Sequence, residues 1–546
     1  MSAKGDAGNL SIDRRELLKA SAGGLIAAAL PATAWSQTPK SGGTLLLSSG
    51  GDPPTLDMHQ SATYLTEFVG SPCFSTLLRI DPTDINKLVP DLADKYEVSS
   101  DGMTVTFNLH AGAEFHNGMP VTAEDVAFSL DRIRKPPKGI VSPRKGLLGN
   151  VKEVEAKDAV TVIVYLTAPQ ADFPFQVANP YNVIVPKKVV EPLDASGQGM
   201  KRTVVGSGPF KLSQAVDGQI YELVRNEKYF AQKAYLDKIQ MFPIKGEVER
   251  AAALQGGRIH ACFFFANESV LEGLKKQPNI TSLRRPTPTF INLIPNVKMK
   301  PFDDIRVRQA LSLAIDREAF IKTVGPLAGA FYHSTGLLMP GSSFNLTADE
   351  IKQFAGYDTM PGAGGNIEAN RKRAVELLEQ AGVAKGFKIS LLARGDIPAF
   401  RDSSIAVAAQ LKAIGMDTSV DIRDAGGFYA AETSGQFQLV AHSVGMSGSR
   451  PDQILGEGYT SFGGRNYGNW TDESIDAAYR AQSAEIDPAK RKQLIREFQL
   501  KFLKTYYQIN LAWVGYGGAH AKVLKGWQPL TDLYANMQMD HVWLDV

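Results

Sequence analysis

The sequence has few cysteines and almost no net charge, and both scarcities narrow the classes of protein that it can encode. Its 546 residues contain two cysteines, Cys73 and Cys262, so a framework of several disulfides is excluded. Both lie inside apolar runs, which favours buried free thiols, although a single disulfide between them stays open. A formal net charge of +2, from 59 basic and 57 acidic side chains, argues against a nucleic-acid-binding surface.

The chain also lacks the short motifs that mark many hydrolases and nucleotide-binding proteins. It contains no H-E-x-x-H, no C-x-x-C pair, no EF-hand loop and no Walker phosphate loop. Residues 445–449 nearly form the G-x-S-x-G motif of a nucleophilic serine, but Ser449 replaces the final glycine. His110 and His116 lie in one short hairpin and are expected to be structural, with a metal role as the alternative. We therefore predict no enzyme and no cofactor, and keep a secreted hydrolase as a distant alternative.

Residues 1–36 have the features of an export signal. Residues 11–19 resemble a twin-arginine motif, and residues 20–30 form an apolar run shorter than the roughly 20 residues that span a bilayer. Small residues offer two cleavage positions, after Ala34 and after Ser36, and the second is preferred. No cysteine lies near that point, so a lipid anchor is not expected. The sequence thus predicts a soluble periplasmic protein that uses the twin-arginine export machinery.

The most informative stretch, residues 88–133, predicts a hairpin followed by a helix. Residues 103–110 alternate between apolar and polar side chains, which is the period of a half-buried strand. A turn at residues 99–102 separates this strand from a shorter one before it. Thr122 is a good helix N-cap, and apolar residues follow it at helical spacing. Another helix is predicted over residues 67–78.

Several stretches resemble motifs of one protein family. Residues 88–133 are similar along their whole length to the signature of the family 5 extracellular solute-binding proteins of ABC importers. Residues 53–57, 205–210 and 301–311 resemble further elements of that family, the last of them almost letter for letter. The resemblance extends from about residue 43 to about residue 511.

This resemblance implies an α/β fold of the periplasmic-binding-protein type, with two lobes, an extra inserted domain and a ligand cleft between the lobes. Domain I is expected in three segments, residues 37–82, 205–296 and 512–546, with domain II at 83–204 and domain III at 297–511. The resemblance also implies a monomer that captures a small solute by lobe closure and delivers it to the membrane permease subunits of an ABC transporter. No nucleic-acid partner is expected.

The resemblance further implies candidate ligand contacts. Arg401 is similar in position to an arginine that holds the ligand carboxylate in dipeptide-binding relatives, and a guanidinium can bind a carboxylate with two hydrogen bonds. Those relatives hold the peptide's amino group with an aspartate in a stretch that corresponds to residues 442–452. That acid is missing around Ser447, and Arg450 replaces another acid. The remaining candidates begin this stretch or fall where relatives line the cleft: His442, Arg144, Phe263, Phe264 and Phe290.

The candidate residues suggest a ligand class. The phenylalanines are at least as well explained as core residues. If half of the set lines the cleft, the cleft is aromatic and carries arginines, which suggests an anionic ligand such as an opine, an acidic sugar or an organic acid. An oligopeptide held mainly by backbone bonds is the alternative.

The export signal is testable in cells. Arg14→Lys together with Arg15→Lys should leave the precursor in the cytoplasm, because the motif is defined by the arginine pair and not by its charge alone. Cell fractionation and immunoblotting measure the result, with Lys4→Arg, outside the motif, as the control. Normal arrival of the double variant in the periplasm would show that the signal is misassigned.

Overall fold

The computed structural model describes residues 38–546 except for 62, 330–332, 334–335, 396–397, 447 and 528–536, so the predicted export signal lies outside it. In chain order its strands are β1 Thr44–Ser48, β2 Leu78–Asp81, β3 Asp84–Pro90, β4 Ala93–Val98, β5 Thr104–Leu109, β6 Val151–Ala156, β7 Thr161–Leu166, β8 Phe210–Val216, β9 Ile220–Arg225, β10 Lys238–Phe242, β11 Ala261–Phe265, β12 Ile280–Pro295, β13 Lys388–Arg394, β14 Asp417–Arg423, β15 Leu439–Gly445, β16 Ile509–Ala521, β17 Leu524–Lys525 and β18 Trp543–Leu544. Its helices are α1 Tyr64–Gly70, α2 Ala123–Arg134, α3 Phe173–Val177, α4 Lys187–Ala195, α5 Glu247–Gln255, α6 Glu268–Lys275, α7 Ile305–Ala314, α8 Arg317–Ala328, α9 Ala348–Lys352, α10 Ile367–Gln380, α11 Pro398–Lys412, α12 Ala425–Ser434, α13 Pro451–Gly458, α14 Glu473–Ala484 and α15 Pro488–Leu503. Within these ranges, none of the helices combines the length and apolar character that crossing a bilayer requires.

Among the described residues, ten strands form one mixed sheet in the order β14-β13-β15-β12-β16-β11-β1-β10-β9-β8. Near one end β13 runs parallel to β14 and β15, and further along the sheet β1 runs parallel to β10 and β11. Two long antiparallel strands, β12 with 16 residues and β16 with 13, lie between these parallel sets. Their register shifts between Pro286 and Phe290, because Pro286 and Pro288 have no N–H to donate to the ladder. The long pair therefore joins the two parallel sets into one sheet.

A separate antiparallel sheet, in the order β4-β5-β7-β6, packs against α2. The strand β5 and the helix α2 lie where the sequence predicted them, and β5 alternates between buried and half-buried residues. Both the backbone N–H and the hydroxyl of Thr122 donate to the Asp125 carboxylate, at 3.0 and 2.7 Å, which fixes the first turn of α2. This sheet lies inside the segment predicted as domain II, and the domain boundaries themselves stay a prediction.

The helix predicted over residues 67–78 is wrong in extent. The helix α1 ends at Gly70, and a single 3₁₀ turn, Ser71–Cys73, follows it. The physical reason is Pro72, which cannot donate a hydrogen bond to the preceding turn. A tight crossing lies just beyond, since a Cβ placed on Gly206 would lie 1.9 Å from the carbonyl oxygen of Cys73.

Both cysteines are buried free thiols, as the sequence favoured. Cys73 is 0% exposed and Cys262 is 1% exposed, and neither forms a disulfide. Burial raises the pKa of both thiols, because a thiolate is poorly solvated in an apolar interior. They are therefore unreactive in the folded protein.

One arginine holds three segments together in the interior. Arg132 on α2 donates to both oxygens of Asp57, at 3.0 and 2.7 Å, and to both oxygens of Asp194 on α4, at 2.7 and 2.8 Å. Burial alone would raise the pKa of Asp57, but the hydrogen bonds and charge of Arg132 outweigh it, so this pKa lies well below its usual range. Asp57 belongs to the stretch 53–57 and Arg132 to the stretch 88–133, so the pair connects two of the stretches that carry the family resemblance.

The buried cluster predicts a large and pH-dependent effect on stability. Arg132→Met should lower the free energy of unfolding by about 3–5 kcal/mol, because it leaves two buried carboxylates without their cation. The pKa of Asp57 is lowered in the folded state, so the full loss of unfolding free energy should appear above about pH 4. The loss should become smaller as the pH falls below that value. Urea denaturation followed by circular dichroism measures both effects.

An exposed ion pair provides the control for this substitution. Arg202 and Asp217 are each about half exposed, and Arg202→Met should lower the free energy of unfolding by less than about 1 kcal/mol. A loss for Arg132→Met no larger than that for the control would contradict a stabilising role of the buried cluster.

Candidate ligand-binding cleft

The two sets of parallel strands each present a carboxyl edge where a ligand can bind. The strands β13, β14 and β15 end at Arg394, Arg423 and Gly445. The strands β1 and β11 end at Ser48 and Phe265. In open α/β sheets, ligands bind in the crevice outside the carboxyl ends of parallel strands. The residues just before and after these strand ends are therefore the first candidates for a binding site.

At the edge of β1 and β11, three rings form what we call the aromatic stack: Tyr64, Phe264 and Tyr516. The ring centroids of Tyr64 and Phe264 lie 4.4 Å apart with planes 10° from parallel, and those of Phe264 and Tyr516 lie 4.0 Å apart with planes 31° from parallel. Arg250 supports the stack from behind, because its Nη2 donates to the Phe264 carbonyl at 3.2 Å. Burial raises the pKa of the Tyr64 hydroxyl to about 12, although the nearby charge of Arg250 opposes the shift. The Tyr64 hydroxyl is therefore neutral and can donate or accept a hydrogen bond.

At the edge of β13 and β14, an arginine lies against two further rings, and we call this group the arginine wall: Arg394, Phe400 and Tyr429. The guanidinium carbon of Arg394 lies 5.7 Å from the Phe400 ring centroid and 5.2 Å from that of Tyr429. Nη1 of Arg394 also donates to the Tyr429 hydroxyl at 2.9 Å. The Tyr429 side chain is 42% exposed, so the wall is open to solvent. The wall places a guanidinium at this edge of the sheet.

The arginine wall and the aromatic stack are within electrostatic range of each other. The charge of Arg394 opposes the rise in the pKa of Tyr64, although Arg394 ends β13 and Tyr64 begins α1. A solute that reached both groups would contact flat rings and a guanidinium. This arrangement suits a ligand with an anionic group and a flat or sugar-like body.

The structure places the candidate Arg401 on α11, close to the arginine wall in sequence. Its Nε donates to Asp402 at 3.0 Å, and its side chain is 41% exposed. Arg401 is thus accessible, but the carboxylate of Asp402 already offsets part of its charge. The candidate Ser447 lies outside the described residues.

Arg450 is placed in an ion-pair cluster with Asp172. Nη2 of Arg450 lies 2.9 Å from Asp172, and its guanidinium carbon lies 4.3 Å from the Phe175 ring centroid. Arg491 contacts the same Asp172 at 2.8 Å and also contacts Asp452 at 2.9 Å. Burial alone would raise the pKa of Asp172, but the two arginines outweigh it and lower the pKa. The predicted role of Arg450 in ligand binding stays a prediction, and its charge is balanced here by Asp172.

Three other candidates occupy buried positions. Arg144, 2% exposed, donates to the Met58 carbonyl at 2.9 Å and lies 4.1 Å from the Tyr181 ring centroid. Phe263 stacks on Trp527 at 4.1 Å, and Phe290 is 0% exposed. Their predicted ligand contacts stay predictions, whereas Phe264 belongs to the aromatic stack. His442 is buried behind the arginine wall, where its Nδ1 lies 2.8 Å from Glu432.

The sequence did not indicate four of these candidate ligand contacts: Arg394, Tyr429, Tyr64 and Tyr516. The position of Arg394 had an available signal, since it is the last residue of a strand in a parallel set and ligands bind at that edge. The three tyrosines carried no local signal, because their neighbours in space are remote in sequence. No group of three or more His, Cys, Asp or Glu side chains in the described ranges is placed to hold a metal ion.

These features define a class of protein: an α/β protein in which two sets of parallel strands present carboxyl edges that are candidate ligand-binding positions. The sequence model of the bacterial extracellular solute-binding proteins, family 5, matches residues 87–466. The chain belongs to this family. It is accordingly the substrate-binding component of an ABC importer, which binds a solute and delivers it to the membrane permease.

Individual relatives agree with this assignment and confirm the α/β fold of the periplasmic-binding-protein type. The chain is 27% identical over 485 residues to the dipeptide-binding protein of Escherichia coli (strain K12), covering 84% of this chain and 86% of the relative. It superposes with a TM-score of 0.80 on the Helicobacter pylori periplasmic binding protein DppA in complex with the peptide STSA, at 22% identity, covering 93% and 99% of the two chains. It superposes with a TM-score of 0.79 on the periplasmic binding protein AgaA from A. tumefaciens R10 in complex with agropinic acid, at 25% identity, covering 92% and 99%.

The cluster around Asp172 makes a prediction that separates its two arginines. Arg491→Gln should lower the free energy of unfolding by about 3–5 kcal/mol, because Asp172 and Asp452 both lose a buried cation. Arg450→Gln should cost about 1 kcal/mol, because Asp172 keeps both of its hydrogen bonds from Arg491. Differential scanning calorimetry of the two variants tests this order. An Arg450→Gln loss equal to that of Arg491→Gln would show that the two arginines share Asp172 equally.

Proposed function

We propose that this chain binds an anionic solute, of the opine, acidic-sugar or organic-acid class, between the arginine wall and the aromatic stack. The observation that carries the proposal is the position of Arg394 at a carboxyl edge, between two rings and within electrostatic range of Tyr64. A ligand carboxylate at this guanidinium would gain a charge-assisted hydrogen bond of about 1.5–3 kcal/mol. Arg394, and Arg401 with Asp402 beside it, are the two candidates for this contact.

The chain's acidic residues also favour an anion over a zwitterionic peptide. The stretch 442–452, where dipeptide-binding relatives are expected to hold the amino group, has no aspartate before Asp452. The Asp452 side chain is 0% exposed and is bound by Arg491, Gln482 and Ser483. A buried ligand ammonium would therefore lack an acidic partner in this stretch, which is costly.

The aromatic stack favours a ligand with a flat or sugar-like body. Sugar rings and planar groups pack well against aromatic faces, and Tyr64 adds a hydrogen-bonding hydroxyl at the end of the stack. The similarity to AgaA in complex with agropinic acid supports this ligand class. The similarity to the dipeptide-binding protein and to DppA in complex with a peptide supports an oligopeptide as the second candidate.

Binding drives transport through lobe closure. In the proposed division, domain III carries the arginine wall, while domain I carries the aromatic stack and joins domain II in the other lobe. A ligand that contacts both lobes favours their closed arrangement by its differential affinity for it. The chain acts as a monomer in the periplasm, after export by the twin-arginine machinery, and delivers its ligand to the permease subunits.

The ligand class is testable with a binding screen. Agropinic acid, acidic sugars and organic acids should raise the melting temperature, and Arg394→Ala should weaken their binding about tenfold or more, since 1.4 kcal/mol corresponds to one decade in Kd. Isothermal titration calorimetry measures the affinities for the wild type, Arg394→Ala, Arg401→Ala and Arg450→Ala. The matched control is Arg423→Ala, because Arg423 ends the neighbouring strand but pairs with Asp421 at 2.7 Å.

Two outcomes would contradict the proposal. Stabilisation by peptides alone, unaffected by the arginine substitutions, would replace the anionic ligand with an oligopeptide and leave the transport role intact. Recovery of a chemically changed ligand after incubation, detected by mass spectrometry, would favour a hydrolase over a binding protein.

A further inference from the structure

A buried acid and a buried histidine lie directly behind the arginine wall. Oε1 of Glu432 on α12 lies 2.8 Å from Nδ1 of His442 on β15, and their side chains are 0% and 4% exposed. Taking these polar side chains out of water costs free energy that one mutual contact returns only in part. Stability alone is therefore a poor explanation for this pair, and its surroundings suggest another.

The rings around His442 include both rings that contact Arg394. The His442 ring centroid lies 6.2 Å from Phe400 and 6.0 Å from Tyr429, and it also packs against Phe428 at 4.9 Å. Arg394 lies against the same Phe400 and Tyr429, at 5.7 and 5.2 Å. Phe400 and Tyr429 are thus the shared neighbours of a buried imidazole and of a guanidinium at the cleft.

Each contact in the series from Glu432 to Arg394 restricts the position of the next side chain. Glu432 and Tyr429 both belong to α12, so the carboxylate that attracts His442 and the ring that contacts it are fixed on one helix. His442 belongs to β15, and Phe400 to α11, so the imidazole packs against rings from two different helices. Tyr429 then accepts the hydrogen bond of Arg394 at 2.9 Å. A change at Glu432 would therefore reach Arg394 through His442 and the two rings.

We propose that Glu432 and His442 are positioning residues for Arg394: the carboxylate holds the imidazole, the imidazole holds the Phe400 and Tyr429 rings, and the rings hold the guanidinium in the cleft. This inference rests on the proposed function, in which Arg394 contacts the anionic group of the ligand. Binding sites need such support, because a guanidinium that is free to move loses part of its hydrogen-bond free energy to side-chain entropy. The pair thereby contributes to ligand specificity without touching the ligand.

The test is a double-mutant cycle with agropinic acid as the probe. Glu432→Ala should raise the Kd about tenfold, and its combination with Arg394→Ala should lie within about twofold of Arg394→Ala alone, because residues that act through one contact are not additive. Glu432→Gln should stay within about threefold of the wild type, since the amide keeps an oxygen of the same size beside Nδ1. Isothermal titration calorimetry measures all four variants.

Substitution of a second buried acid distinguishes a positioning role from a general effect on stability. Asp540 is 7% exposed and lies 2.9 Å from Arg79, in the C-terminal segment rather than beside His442. Asp540→Ala should lower the melting temperature but keep the Kd within about twofold of the wild type. Should Glu432→Ala not fold, Glu432→Met, which fills a similar volume, takes its place in the cycle. Additive effects of the Glu432 and Arg394 substitutions, or an unchanged Kd in Glu432→Ala, would overturn the inference.

A ligand-free measurement keeps this inference separate from the proposed function. If the wild type binds no acid, the proposed function fails, and crystal structures of the unliganded variants then decide on positioning alone. The hydrogen bond between Arg394 Nη1 and the Tyr429 hydroxyl, 2.9 Å long here, should be lost in Glu432→Ala and kept in Glu432→Gln. Its retention in Glu432→Ala, or its loss in Glu432→Gln, would overturn the positioning role.

Discussion

The pairing of β12 with β16 is the constraint on which the rest of this structure depends, because it joins the two sets of parallel strands within one sheet. Where the prolines interrupt the ladder, side chains take over part of the bonding. The Thr287 hydroxyl donates to the Val514 carbonyl at 3.0 Å, and Arg284 bonds the Gly515 carbonyl while pairing with Glu268. Tyr516 follows immediately on β16. The position of one ring of the aromatic stack is therefore set by the contacts that hold the long strands together.

Buried ion clusters fix the segments that this sheet does not reach. Arg132 and Arg491 each bind two buried carboxylates, and the second cluster joins residues 319 positions apart in the chain. Such clusters add little net stability but are costly to break, so they select one arrangement of the segments. Asp172 belongs to the predicted domain II and Arg491 to domain III. In the proposed closure, the free energy of this cluster enters the balance between the open and closed arrangements.

Local elements could be predicted from the sequence, whereas most of the cleft could not. The strand β5 and the helix α2 follow from alternation and from the cap at Thr122, which act within a few residues. Phe263 and Phe264 show the limit, since one stacks on Trp527 and the other joins Tyr64, and three successive phenylalanines give no sign of which faces the cleft. The partner of Arg450 lies 278 residues away, so its pairing could not be read from neighbouring residues. The resemblance supplied the fold because it covered the whole arrangement of segments at once.

The residues that hold the segments together and the residues proposed to line the cleft are largely different, and this separation has an evolutionary consequence. Arg394 ends a strand, and Tyr429, in the middle of α12, is 42% exposed, so replacing them disturbs less of the buried core than replacing a residue of the ion clusters. Selection can therefore alter the ligand while the ion clusters and the long strands stay unchanged. The two solved relatives, one in complex with a peptide and one with agropinic acid, superpose equally well on this chain, at TM-scores of 0.80 and 0.79. An arrangement of this kind allows ligand preference to diverge during evolution much faster than the fold.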